Sequence, residues 1–265
     1  MKPQQNNSTK SNAALQVFPL SEGAFTIDST KLFVPFNEQK DDLQQRPAGS
    51  LLVEIQPFVV ITPRDIIVMD AGLGFKDKTG DLQFHGALKN LGIEPGHVTK
   101  VLMSHLHKDH AGGIAMNENK TQLSFPNATY FIQKRELDFA FERGVPSYIP
   151  GDLELLKTSP QVHFLHDDSG VIDAYISYQH TGAHSPHHQV FWIKWEDEII
   201  FFGGDVAPQL QQMKMRYKTK YDYEPERAMQ LRRAWWQQGA QENWTFLFYH
   251  DIKTPVYQQQ AENTI

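Results

Sequence analysis

The sequence predicts an α/β fold, a layered sandwich of strands with helices on the outside. Three observations predict it. Short alternating or continuously apolar runs crowd the first quarter of the chain, helical patterns then alternate with strands, and strands and helices return together in the second half. The chain has 265 residues, 40% hydrophobic and 12% aromatic, which is ample for a core that disordered and low-complexity chains cannot build. No interdomain linker or internal repeat breaks the pattern. A single domain is expected over residues 14–265, behind a flexible polar tail at residues 1–13.

The elements follow in order. Between Ala14 and about Ile67 the runs LQVF, GAFTI, SLLVEI and FVVI read as a meander of strands, separated by polar or proline-containing segments. DIIVMD reads as a buried strand that empties into Ala71-Gly72-Leu73-Gly74. Two glycines without a following Lys-Ser/Thr predict a turn there rather than a phosphate cradle. A helix is predicted from Phe84 to about Leu91, closed by Gly92, and the strand KVLMS then runs straight into His105. ATYFIQ, QVHFL, AYISYQH, QVFWIKW and EIIFFGG read as further strands. KRELDFAFERG and PERAMQLRRAWWQQG read as helices, the second with Pro225 in its first turn and Ala228, Leu231 and Trp235 on one face.

Composition excludes several function classes. Lys+Arg 25 against Asp+Glu 31 gives a net charge of −6 with no basic block, so a nucleic-acid partner is not expected. With no cysteine there is neither a disulfide framework nor a thiolate metal site, and any metal must be held by His, Asp and Glu. The opening MKPQQNNSTK lacks the apolar stretch of a signal peptide, and no run reaches the roughly 18 apolar residues of a membrane span. A cytoplasmic protein without a membrane partner is expected.

The chemistry is concentrated in SHLHKDHAGG, where His105, His107, Asp109 and His110 follow a predicted buried strand. A solvated polar loop does not explain the cluster, because imidazoles repel when protonated and gain nothing when neutral. A divalent cation accounts for every member. Gly112 and Gly113 let the backbone turn tightly beneath such an ion. Four ligands pointing in different directions exceed the needs of one tetrahedral ion, so two ions are expected. Further ligands are sought at the ends of predicted strands. The candidates are His184 in the loop of YQHTGAHSPHHQV, Asp205 after FFGG and His250 after WTFLFY.

With these residues in place the sequence resembles the metallo-β-lactamase superfamily of dinuclear metallohydrolases, from about Asp70 to Pro255. The matching segments are DAG at Asp70, SHLHKDHAGG at His105, TGAHSPHHQ at His184, GGD at Asp205 and FLFYHD at His250. LMSHLHKDHAGG, FPNATYFIQKRELD and FLFYHD look most like the acyl-homoserine lactonase and methyl parathion hydrolase branch. The resemblance implies an αβ/βα four-layer sandwich and two divalent metal ions, Zn²⁺ first among the candidates. It implies that His105, His107 and His184 hold one ion, that Asp109, His110 and His250 hold the other, and that Asp205 bridges them. Asp70 would orient a ligand histidine. The chain departs from the usual GHTPGH with AHSPHH, so His187 and His188 compete with His184. The alignment favours His184 as ligand and His188 as a supporting residue. His85, His97, His163, His166 and His180 are expected to play no ligand role.

Two such cations lower the pKa of a shared water, which attacks an electrophilic carbon or phosphorus while a metal polarises the substrate oxygen. Asp109 is then the expected carrier of a proton to the leaving group, and thus the catalytic side chain. The resemblance implies a small-molecule ester or lactone as substrate. N-acyl-homoserine lactones stand first, a quorum-quenching activity, and an aryl phosphotriester is the alternative. LFVPF and FAFERGVPSY, with Phe33, Phe36, Phe139, Phe141 and Tyr148, either line a groove for the substrate or pack the core. A homodimer is implied by the resemblance alone. A nuclease of this superfamily would want a basic groove, a flavodiiron protein a carboxylate at His107, and a glyoxalase II an appended helical domain. A silent binding protein would have lost a ligand, whereas all seven positions are filled.

Overall fold

A computed structural model describes residues 15–116 and 119–259. The expectation for a flexible tail at residues 1–13 lies outside the described residues. The chain opens with β1 (Gln16–Pro19), β2 (Gly23–Ile27), β3 (Phe33–Pro35) and β4 (Leu51–Ile55), then β5 (Phe58–Ile61) and β6 (Ile66–Met69). Helix α1 (Gln83–Asn90) leads to β7 (Lys100–Leu102), the short α2 (Lys108–Ala111), β8 (Thr129–Gln133), α3 (Lys134–Arg143), α4 (Pro150–Leu153) and β9 (Val162–Leu165). The second half contains β10 (Ser169–Ile172), β11 (Ile176–His180), β12 (Gln189–Trp195) and β13 (Glu198–Phe202). It closes with α5 (Leu210–Lys214), α6 (Pro225–Glu242), β14 (Thr245–Leu247) and β15 (Val256–Gln258).

Two six-stranded sheets, ordered β1-β5-β6-β7-β8-β9 and β10-β11-β12-β13-β14-β15, form the body. Alternation along their strands explains the layering, because successive side chains point to opposite faces and here both faces are apolar. In the first sheet Val60, Ile67, Met69 and Leu102 face the second sheet, where Ile176, Phe191, Ile193, Ile200 and Phe202 meet them. Their neighbours Val59, Val68 and Val101 turn the other way, onto Phe84 and Leu88 of α1 and Leu137 and Ala140 of α3. On the far side of the second sheet, Val190, Ile199, Phe201 and Phe246 pack against Ala228 and Trp235 of α6. The order helix, sheet, sheet, helix is the αβ/βα four-layer sandwich expected from the sequence.

The first quarter of the chain departs from the expected single meander. β1 pairs with β5 in the main sheet, while β2, β3 and β4 make a separate three-stranded sheet. The runs alternate as predicted, but which strands pair is decided by a crossing of some forty residues that periodicity does not report. Pro225 sits in the first turn of α6 and Asn243 closes it in the left-handed conformation (φ 56°). The predicted turn after DIIVMD is a turn, with Gly72 and Gly74 at φ 66° and 77°. It packs so tightly on the metal-motif segment that a Cβ on Gly112 would lie 2.2 Å from the Leu73 carbonyl oxygen.

Candidate metal centre

The parallel pairs bring the chemistry to one end of the sandwich. In the first sheet Met69 pairs with Leu102, so Asp70 and the His105–His110 segment leave adjacent carboxyl ends. In the second, Phe202 pairs with Leu247, and Asp205 and His250 each follow three residues later, at one level. His184 comes from the connection between β11 and β12. Carboxyl ends of parallel strands are where open α/β sheets gather ligand-binding loops.

All seven expected residues converge there, in two donor groups whose atoms lie within 4.8 Å of one another. In the first, His107 Nδ1 is 2.9 Å from His105 Nε2 and 3.2 Å from His184 Nε2. In the second, His110 Nε2 and His250 Nε2 lie 3.0 and 3.1 Å from Asp205 Oδ1, and Asp109 Oδ2 lies 3.7 and 3.6 Å from the same nitrogens. Asp205 serves both groups, because its other oxygen, Oδ2, is 3.2 Å from His184 Nε2.

The partners on the outer side of each ring fix which nitrogen carries the proton. His110 Nδ1 donates to Asp70 Oδ2 at 2.7 Å, His250 Nδ1 to the Glu54 carbonyl at 2.7 Å, and His184 Nδ1 to Asp222 Oδ1 at 3.0 Å. The Ser104 hydroxyl donates to Asp70 and so accepts from His105 Nδ1 at 3.0 Å. With its outer nitrogen committed, each of these rings turns its other nitrogen inward, where its lone pair can serve a metal ion once any proton on it is displaced. His110 Nε2 and Asp205 Oδ1 are buried with no hydrogen-bond partner among the described residues. An imidazole nitrogen and a carboxylate oxygen buried 3 Å apart need a proton or a metal cation between them, and the clustered donors fit divalent metal ions.

Electrostatics separates the two groups. Burial and the surrounding imidazoles hold His105 and His107 well below the ordinary histidine range. Burial opposes charge on His110 and His250 as well, yet the Asp205 and Asp109 carboxylates carry both above it. Asp205 itself, although burial opposes its charge, is held well below the usual carboxylate range by His250, His110 and His184.

The histidines that competed in the sequence are sorted by geometry. His188 lies behind the site, its Nδ1 on the Thr181 hydroxyl at 3.0 Å and its Nε2 accepting the Asp205 N–H at 3.2 Å. His187 points away, with its ring against Phe139. Of the two aromatic segments, Phe33 and Ser147 border the cavity over the donor groups, whereas Phe139 and Phe141 pack on the core and Phe36 is buried. Tyr148 packs at a tilt against His107, with ring centroids 4.7 Å apart. That cavity, of about 340 Å³, has an apolar wall that includes Ile27, Leu51, Val53, Pro208 and Met215.

Sequence reasoning missed several supports. Glu136, fully buried on α3, accepts from Leu106 N, the Tyr148 hydroxyl and the Ser185 hydroxyl, tying the His105–His107 loop to the His184 loop. Its signal was an acidic residue on the apolar face that carries Leu137 and Ala140. Tyr249 stacks on His110 at 4.0 Å and donates to the Asp109 carbonyl at 2.6 Å. Asp222, backed by Arg232 at 3.8 Å, stands 38 residues from His184 and gave no signal.

Residues 55–250 match the metallo-beta-lactamase superfamily. The chain belongs to that superfamily. Among curated proteins, the N-acyl homoserine lactonase AttM of Azorhizobium caulinodans is 33% identical over 116 residues, 40% of either chain. An N-acyl homoserine lactonase of Bacillus thuringiensis is 29% identical over 146 residues, 48% of this chain and 53% of that one. The chain thus matches about 40% of the length of the first of these superfamily relatives. Among solved structures, the dizinc quorum-quenching lactonase AidC superimposes with a TM-score of 0.69 at 20% identity, covering 94% and 92% of the two chains. A quorum-quenching N-acyl homoserine lactone lactonase gives 0.63 at 20% identity, covering 90% and 92%. At that identity the likeness is one of fold. No helix among the described residues is long and apolar enough to cross a membrane.

Proposed function

We propose that this protein is a dinuclear metal-dependent hydrolase that opens lactone esters, with N-acyl-homoserine lactones the first substrates to test. One observation carries the reading. Histidine lone pairs fixed inward by outer hydrogen bonds surround a carboxylate, Asp205, that offers one oxygen to each donor group. His105, His107 and His184 would hold one Zn²⁺, and Asp109, His110 and His250 the other. When bound, such a pair of ions supplies an activated water and a Lewis acid for the substrate carbonyl.

The protein's own groups do the rest. Asp109 borders the cavity, and the Tyr249 hydroxyl on its carbonyl fixes its backbone. In this reading its carboxylate takes a proton from the attacking water and returns it to the ring oxygen as the ester bond breaks. Asp222, Asp70, Ser104 and the Glu54 carbonyl keep the ligand rings in their tautomers. The apolar wall of the cavity takes the acyl tail and excludes bulk water from it. The lactonase names of the curated superfamily relatives support the substrate class.

The deciding experiment is a side-by-side steady-state assay of the zinc- and manganese-loaded protein, with metal content measured on the same sample. Short- and long-chain acyl-homoserine lactones, simple lactones and an aryl phosphotriester are compared. Lactone turnover with kcat/KM of roughly 10⁴ M⁻¹s⁻¹ or more, well above the phosphotriester, supports the proposal. The reverse order replaces it with a phosphotriesterase.

A further inference from the structure

We propose that Lys31 and Lys108 form an anion-binding subsite in the cavity wall, so that the preferred ester or lactone carries a negatively charged group on its tail. This rests on the hydrolase reading of the metal centre and narrows its substrate class.

Lys108 lies between His107 and Asp109 in the ligand motif, but its side chain leaves the donor groups. Its Nζ donates to the Lys31 carbonyl at 2.5 Å and stands 5.6 Å from the centre of the Phe33 ring. The Lys31 Nζ stands 4.7 Å over the Tyr221 ring. All four residues border the cavity, and both lysines are half-buried. A lysine with no task beyond solubility extends its ammonium into water. These two are instead turned onto a carbonyl and two aromatic faces.

Among the described residues neither ammonium pairs with a carboxylate. The carboxylates that border the cavity are engaged elsewhere, Asp109 and Asp205 with His110 and His250, and Asp222 with His184 and Arg232. Two cations in one wall repel each other. An anion at that wall relieves the repulsion and gains charge-assisted hydrogen bonds. Apolar wall on the same cavity leaves room for a hydrocarbon spacer between the reacting carbonyl and the anionic end.

The test measures binding, so that it does not depend on turnover. Octanedioate and octanoate, which differ by one terminal carboxylate, are titrated calorimetrically into the dizinc protein at low ionic strength. Octanedioate is expected to bind about tenfold more tightly or better, with the advantage shrinking as salt rises. In the Lys31→Met/Lys108→Met double variant, checked to hold two metal ions, the advantage falls to within about twofold. Lys108→Arg, which keeps the charge, retains it. Equal binding of the two acids by the unaltered protein overturns the subsite, as does an advantage that survives in the double variant. A matched pair of lactones, one with a carboxylate-ended tail and one with a methyl-ended tail, separates the two readings. A dicarboxylate preference without turnover of either lactone keeps the subsite and removes the lactonase reading. Turnover with no dicarboxylate preference does the opposite.

Discussion

The two donor groups sit side by side and differ in electrical character. His105, His107 and His184 bring three rings, packed edge to face with centroids 4.5 to 5.1 Å apart. The other group sets Asp109 and Asp205 among His110 and His250. Where imidazoles crowd one another, protons are expelled, and where carboxylates face imidazoles, protons are retained. A metal ion meets a prepared but weakly attracting site in the first group, and a strongly attracting site already contested by protons in the second.

Removing the one residue the groups share gives the largest effect. Asp205→Ala is expected to lose both ions and about a thousandfold or more of kcat/KM. Metal analysis and kinetics on the same preparation check it, and two tightly held ions with near-normal turnover would erase the distinction between the groups. His107→Ala and His250→Ala are expected to part company. Each lowers the stoichiometry from two ions to one, at a cost of about a hundredfold in turnover, but the ion that remains in His107→Ala resists chelation better, because two carboxylates stay with it.

A smaller effect follows from the outer partners. Asp222→Asn disturbs the hydrogen bond that fixes His184, and is expected to weaken zinc at the imidazole group by about 10- to 100-fold while sparing the other ion. Competition with a chromophoric chelator measures each step. The smallest effect is the pH dependence. His110 and His250 have raised pKa values in the metal-free protein, so at pH below those values an incoming ion must displace their protons and affinity falls as pH falls. His105 and His107, with lowered values, are already deprotonated, and their group is expected to show a flatter profile over the same range. Parallel profiles would contradict the electrostatic contrast.

What the sequence discloses follows the same divide between local and remote. Four donor residues within six positions after an apolar strand are a local pattern, and so are the alternations that became the two inner faces of the sandwich. His184, Asp205 and His250 could be suggested only as strand-end residues, and the choice among His184, His187 and His188 turns on loop geometry that spacing does not encode. The pairing of β1 with β5, the Asp222 hydrogen bond and the Lys31 contact on Lys108 all join distant positions, and periodicity carries no information about them. Helices α2, α4 and α5 have four or five residues, too few for a 3.6-residue repeat to show.

The parallel register of β13 with β14 sets the order in which the centre can come into being. Asp205 and His250 reach one level only when Phe202 has found Leu247, and Tyr249 clasps Asp109 across 140 positions of chain. Contacts of such sequence separation form late, because the loops they close must first be ordered. On the dinuclear proposal, metal is expected to arrive at a nearly finished molecule, and the metal-depleted chain to reach its native shape and wait there to be loaded.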